Sequence, residues 1–153
     1  MKILNKSILL FFFVINISYA DLIKPDAKLK PIEVLLIQLN SLKNNNTPYK
    51  DAGIEQTWKF AHPNNKRVTG PLDKFKQMIY SKKYEILISH ENNKINVLSE
   101  TNTKSVYKVF ILSKDKKKYY YIWKIEKVFL EGNFKNCWMT TSVSNPNYIG
   151  EVI

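Results

Sequence analysis

The apolar residues in the first half of the chain recur with the period of a helix. Between residues 31 and 42 they are spaced three and four positions apart, which places them on one face, and Pro31 suits a first helical turn. The same period predicts shorter helices at 51–61, ended by His62-Pro63, and from Leu72 to residue 81. The positions that carry the pattern are Ile32, Leu35, Leu36, Leu39, Leu42, Ile54, Trp58, Ala61, Leu72, Phe75, Met78 and Ile79.

From residue 84 onwards the apolar period changes to two, which is typical of strands. The predicted strand segments are 84–88, 94–98, 104–113, 119–129 and 134–143. In the fourth segment Tyr119, Tyr121, Trp123 and Ile125 share one face. Three helices followed by four or five antiparallel strands predict an α+β domain. The order fits N-terminal helices packed in a strongly curved antiparallel sheet, a cone with one open end, although cystatin-like folds share parts of it.

A set of short strings adds a family resemblance to this pattern. The strings are Asp51-Ala52-Gly53-Ile54, Trp58 to Asn65, Thr69-Gly70-Pro71-Leu72 with Phe75, then Tyr84, Leu87, His90 and Trp123, and finally Asn136-Cys137-Trp138-Met139-Thr140. In this order and spacing they resemble an uncharacterised family of bacterial and plant proteins, a domain of unknown function. The resemblance spans 31–143 and implies a nuclear-transport-factor-like (SnoaL-like) cone, with no reaction, substrate or cofactor. Asn136 stands where relatives tend to have glycine.

The first 20 residues have the charged, apolar and small-residue order of a secretory signal peptide. Two lysines precede an apolar run from Ile8 to Ile17, and small residues stand before a cut after Ala20. We therefore predict an exported protein, periplasmic or secreted; an uncleaved anchor is the alternative. The remaining chain is divided into a disordered leader at 21–30, a single domain at 31–143 and a C-terminal tail at 144–153.

The charge of the chain bears on its partners. It carries 24 basic and 13 acidic residues, a formal net charge of +11, and removal of residues 1–20 takes away two lysines and no acid, leaving +9. Arg67 is the single arginine, whereas recognition of phosphates and bases favours the planar guanidinium, so we predict no nucleic-acid partner. The lysine cluster at 114–118 is expected to form a hairpin turn; the alternative is peripheral contact with an anionic membrane or cell-wall polymer.

The sequence contains little of the chemistry that catalysis needs. It has two histidines and one cysteine, and no metal-binding, phosphate-binding or nucleophile-elbow motif. We therefore predict no metal and no cofactor, and assign no catalytic residue. Enzymes of similar fold, such as polyketide cyclases and ketosteroid isomerase, hold an acid–base pair inside an apolar cone. No aspartate lies on a predicted strand face here, which weakens the case for an enzyme.

Five residues are candidates for contact with a ligand inside the cone: His90, Tyr107, Tyr121, Cys137 and Trp138. His90 follows an apolar run and matches the family pattern, so it would serve as a polar anchor or general base; the alternative is a histidine that bonds to backbone. Cys137 is the single cysteine, and the alternative to a reactive thiol is a small buried apolar residue.

Three hypotheses for function follow from these residues. The first is a binding module that holds a small apolar or amphipathic ligand in the cone pocket. The second is an isomerase- or cyclase-type enzyme that uses His90 with a tyrosine. The third is an interaction protein that forms a homodimer through its sheet face and has no small-molecule site.

Overall fold

The helices precede the sheet along the chain, as the apolar period predicts. The computed structural model describes residues 21–151, and the predicted signal peptide at 1–20 lies outside them. The helices are α1 (Pro31–Lys43), α2 (Ala52–Lys59), α3 (Pro63–Thr69) and α4 (Leu72–Ile79), followed by a short 3-10 helix (Glu85–Leu87). No helix in this part of the chain combines the length and apolar character needed to cross a membrane.

The strands form one antiparallel sheet in the described part of the chain. They are β1 (Asn92–Glu100), β2 (Lys104–Leu112), β3 (Lys117–Lys127), β4 (Trp138–Val143) and β5 (Asn147–Glu151). The order is β1-β2-β3-β4, and β5 pairs with the first half of β3, beyond the end of β4. The α+β class is therefore confirmed. Bulges interrupt β1 and both pairings of β3 with β4 and β5, and bulges bend strands locally.

The main core lies between α1 and the inner face of the sheet. Alternate residues of β2 and β3 are completely or almost completely buried, and they pack against one face of α1. The buried residues of these three elements include Val34, Leu35, Leu39, Leu42, Tyr107, Val109, Ile111, Tyr121, Trp123 and Ile125. The predicted shared face of Tyr121, Trp123 and Ile125 is thus confirmed.

The buried face of α1 is rotated relative to the prediction. Leu36 is 41% exposed, whereas Val34 and the polar Gln38 are buried. The apolar positions of this helix cover more than one face, so spacing alone does not show which edge of the stripe meets the sheet. The predicted helix itself, which begins at Pro31, is confirmed.

Two local predictions are wrong. The segment 84–88 was expected to be a strand, but its backbone forms a 3-10 turn in which the N–H of Leu87 donates to the carbonyl of Tyr84. Helix α2 ends at Lys59, before the predicted end at residue 61, and Pro63 begins the unpredicted helix α3, because a proline is well suited to a first helical turn. The ring Nδ1 of His62 accepts from the Asn64 N–H over 3.1 Å and caps α3.

The two ends of the described chain both contact the domain. The backbone N–H and carbonyl of Ile23, in the segment 21–30, bond to the side-chain amide of Gln56 over 2.7 and 2.8 Å. At the other end, β5 lies within 144–153, where no strand is predicted. The lysine cluster is the turn of the β2–β3 hairpin, in which Ser113 bonds to the backbone of Lys117.

Candidate functional site

A cavity of about 330 Å³ lies between the helices and the end of the sheet where β3 meets β4. This volume is within the range of small-molecule sites, which are mostly apolar with a few polar groups. Its apolar lining residues are Leu42, Ala61, Val68, Phe75, Met78, Ile79, Leu87 and Val143, together with the rings of Tyr84 and Trp123. Its polar lining residues are Gln38, Thr57, Asn64, Asn65, Thr69, Thr140, Thr141 and Ser142.

The residue spacing within α4 and the strand pairing of β3 with β4 explain which side chains line the cavity. On α4, Phe75, Met78 and Ile79 are three and four positions apart and face the cavity together. On the sheet, Trp123 of β3 stands directly opposite Val143 of β4, so both side chains lie on the inner face. A helical wall and a sheet wall therefore enclose the space between them.

Three buried polar side chains form the floor of the cavity. The Thr140 hydroxyl donates to Oε1 of Gln38 over 2.6 Å, and the indole N–H of Trp123 lies 3.0 Å from the Thr140 Oγ1 and 3.3 Å from the Gln38 Oε1. The Gln38 amide nitrogen donates to the Thr57 carbonyl over 3.2 Å. These contacts join α1, α2, β3 and β4 at one point, and we call Gln38, Trp123 and Thr140 the polar floor.

Helix α3 forms a wall at the cavity mouth and is held mainly by polar contacts. None of its residues is buried, and Val68, which lines the mouth, is 73% exposed. The Asn65 amide donates to the Thr140 carbonyl over 3.2 Å. The Lys66 ammonium lies 5.4 Å from the ring centre of Trp58 and 5.3 Å from that of Phe134, a cation–π contact on both sides.

The lining is uncharged. Among the described residues that line the cavity, Tyr84 is the one with an ionisable side chain, and burial raises its pKa above the ordinary tyrosine value. Its hydroxyl donates to the Val143 carbonyl over 3.2 Å, so it is neutral at physiological pH. The described residues also include no group of three or more His, Cys, Asp or Glu side chains that could hold a metal ion.

His90 lies away from this cavity. It is buried after the 3-10 helix, where Nδ1 is 2.8 Å from the Leu87 carbonyl and Nε2 is 2.8 Å from the Asn93 amide nitrogen. Burial lowers its pKa, and the charge of Lys43 lowers it further. The ring therefore donates through Nδ1 and accepts through Nε2 as a neutral imidazole. It contributes to a shallow polar depression on the surface.

The other four predicted site residues are also outside the cavity lining. Tyr107, Tyr121 and Trp138 belong to the main core, in which the Tyr121 hydroxyl donates to the Lys83 carbonyl over 2.9 Å. Cys137 belongs to a second apolar cluster with Val128 and Met139. Burial raises the pKa of the Cys137 thiol, which makes it a poor nucleophile.

The polar floor was not predicted from the sequence. One signal was available for Gln38, a polar residue four positions from Val34 and Leu42 on the apolar side of α1. Trp123 and Thr140 stand in the strings of the family resemblance, but nothing in the sequence pairs them with each other or with Gln38.

Comparison with known proteins adds no relative. No protein-family model matches the chain. No curated protein matches it, and no solved structure matches it. The resemblance to a domain of unknown function, and the nuclear-transport-factor-like cone that it implies, stay predictions.

Proposed function

We propose that this protein is a binding module that holds a small apolar or amphipathic ligand in the cavity above the polar floor. The observation that carries the proposal is an apolar cavity of about 330 Å³ with a few convergent, uncharged polar groups at its base. An engineered apolar cavity of about 150 Å³ takes up benzene, so a cavity of this size has room for a larger ring system or a short chain. Export as a periplasmic or secreted protein rests on the sequence of residues 1–20 and is part of the proposal.

The lining favours binding over catalysis. An isomerase or cyclase of this shape needs a group that takes a proton and a group that gives one, both within reach of the substrate. His90 is held by Leu87 and Asn93 outside the cavity, and Tyr84 has a raised pKa, which makes it a weak acid and a poor proton donor at neutral pH. The described lining residues supply no carboxylate or imidazole.

The outer face of the sheet does not favour a homodimer. Lys94, Lys108, Lys118 and Lys124 project from it, and none of them makes an ion pair within the described part of the chain. The Lys108 ammonium lies 4.1 Å from the ring centre of Tyr120. Two copies that met through this face would bring like charges together, which opposes association.

The experiment measures binding of the neutral fluorescent probe N-phenyl-1-naphthylamine to the full chain and to two tryptophan variants. Met78→Trp places a larger side chain in the cavity, whereas Leu36→Trp, the matched control, adds the same bulk at an exposed position of α1. We expect saturable binding to the unmodified chain and the control, and a loss of at least about tenfold in affinity in Met78→Trp because the probe and the indole compete for one space. Equal affinity in all three proteins would contradict the proposal.

A further inference from the structure

The polar floor has hydrogen-bonding capacity that its own contacts do not use. A glutamine amide has two N–H donors, and Gln38 uses one of them, toward the Thr57 carbonyl. A threonine hydroxyl has one donor and two lone pairs; Thr140 donates to Gln38 and accepts from Trp123, which leaves one lone pair. Among the described residues, the floor therefore retains one donor on Gln38 and one acceptor on Thr140.

The unused hydrogen-bonding groups of the floor lie in a buried environment that is unfavourable for a charged ligand group. Gln38, Trp123 and Thr140 are all almost completely buried. A carboxylate or an ammonium that entered the cavity would lose its hydration and would meet no opposite charge among the described lining residues, which is costly. A hydroxyl or carbonyl group, by contrast, loses less hydration free energy than a charged group does, and it gains one or two hydrogen bonds to the floor.

We infer that the ligand is an uncharged molecule with an apolar body and one hydroxyl or carbonyl group, and that the polar floor recognises this group through Thr140 and Gln38. The inference rests on the proposed binding function and narrows it to a chemical class. Trp123 has a positioning role, because its indole N–H fixes the hydroxyl of Thr140 and the oxygen of Gln38.

A purely structural role of the floor makes a different prediction. If the three side chains only join α1 to the sheet, their removal lowers stability and leaves the preference among ligands unchanged. If they recognise a polar group, their removal abolishes the preference for a ligand that carries this group and leaves binding of the bare hydrocarbon unchanged. The ratio of two affinities in one protein therefore separates the two roles.

The experiment compares naphthalene, 2-naphthol and 2-naphthoate by calorimetric titration at neutral pH with the full chain. For the unmodified protein we expect 2-naphthol to bind about threefold to tenfold more tightly than naphthalene, the range of one or two neutral hydrogen bonds, and 2-naphthoate to bind more weakly than both. In Thr140→Val and in Gln38→Met we expect the ratio between 2-naphthol and naphthalene to fall to within about twofold. Either variant suffices if the other fails to fold.

Two further variants complete the comparison. Thr140→Ser keeps the hydroxyl and should keep the preference. Thr103→Val is the matched control, because Thr103 is exposed between β1 and β2 and does not line the cavity; it should also keep the preference.

The outcomes distinguish the inference from the proposed function. Equal binding of naphthalene and 2-naphthol by the unmodified protein, tightest binding of 2-naphthoate, or a preference that survives in both Thr140→Val and Gln38→Met would overturn the inference and leave the binding function intact. Failure of all three compounds to bind would contradict both.

Discussion

The hydroxyl of Thr140 donates to the side-chain oxygen of Gln38 over 2.6 Å, across 102 positions of sequence. The backbone of Thr140 is engaged as well, since its N–H donates to the Phe60 carbonyl over 2.8 Å and its carbonyl accepts from the His62 N–H over 2.8 Å. One residue of β4 is thus bonded to α1 and to the connection between α2 and α3. Thr140 therefore fixes the floor of the cavity through its side chain, and it fixes the start of α3 at the mouth through its backbone.

Two buried tyrosines offer a matched test of the hydrogen-bond assignments. Tyr121→Phe removes the bond to the Lys83 carbonyl and should lower the free energy of unfolding by about 1 kcal/mol. Tyr107 is equally buried, but its hydroxyl makes no well-formed hydrogen bond among the described residues, although the side chains of Ser105 and Glu100 lie near it, so Tyr107→Phe should lower stability less than Tyr121→Phe does or raise it by up to about 1 kcal/mol. Urea unfolding of both variants measures the difference. A larger loss for Tyr107→Phe than for Tyr121→Phe would show that Tyr107 has a partner.

The two histidines should make stability fall on mild acidification. Burial lowers the pKa of both His62 and His90, while in the unfolded chain a histidine titrates near pH 6.5. Below about pH 6.5 the unfolded chain therefore binds protons that the folded chain does not. The free energy of unfolding should fall as the pH drops through this value, by at most about 1.4 kcal/mol per pH unit for each histidine, until the folded ring also protonates.

The contribution of His62 can be isolated. His62→Asn keeps a side-chain acceptor for the cap of α3 and removes the titration. Urea unfolding at a series of pH values from 7 to 5 should show a shallower dependence in this variant than in the unmodified protein. Identical slopes would mean that His62 is not held neutral in the folded state.

The sequence predicts the class of the fold because its longest periodic patterns of apolar residues coincide with actual helices and strands. The helix from Pro31 and the inner face of β3 are long enough for a period to be unambiguous. The segment from Tyr84 to Ile88 alternates over only a few residues, and local backbone bonds give it a turn instead. The secondary structure of a short segment depends on its contacts with the rest of the protein, and the spacing of its apolar residues carries no information about those contacts.

The candidate site was harder to predict for a different reason. The alternation on the strands predicts Tyr107 and Tyr121 as pocket walls, but both are completely buried in the core between β2, β3 and α1. The cavity lies instead between α4 and the end of the sheet formed by β3 and β4, near Val143. Its floor depends on contacts between residues that are far apart in sequence, and spacing in one chain does not reveal such contacts.

Gly53 should tolerate no side chain. A Cβ at this position of α2 would overlap the Ser41 carbonyl oxygen of α1, so the two helices touch through their backbones here. By helix propensity alone, Gly53→Ala would stabilise the protein by about 0.5–1 kcal/mol. We expect the opposite sign, a loss that reaches or exceeds about 3 kcal/mol, because backbone must move to make room. Thermal unfolding checks the sign, and a gain in melting temperature would show that α1 and α2 are farther apart.

The central claim is that the cavity holds an uncharged small molecule, and native mass spectrometry tests it most directly. The full protein and its Met78→Trp variant are purified under native conditions from the cells that produce them. The account predicts a fraction of the unmodified protein with the added mass of one neutral compound, absent from the variant. Bare protein in both samples, or the same added mass in both, would contradict the claim.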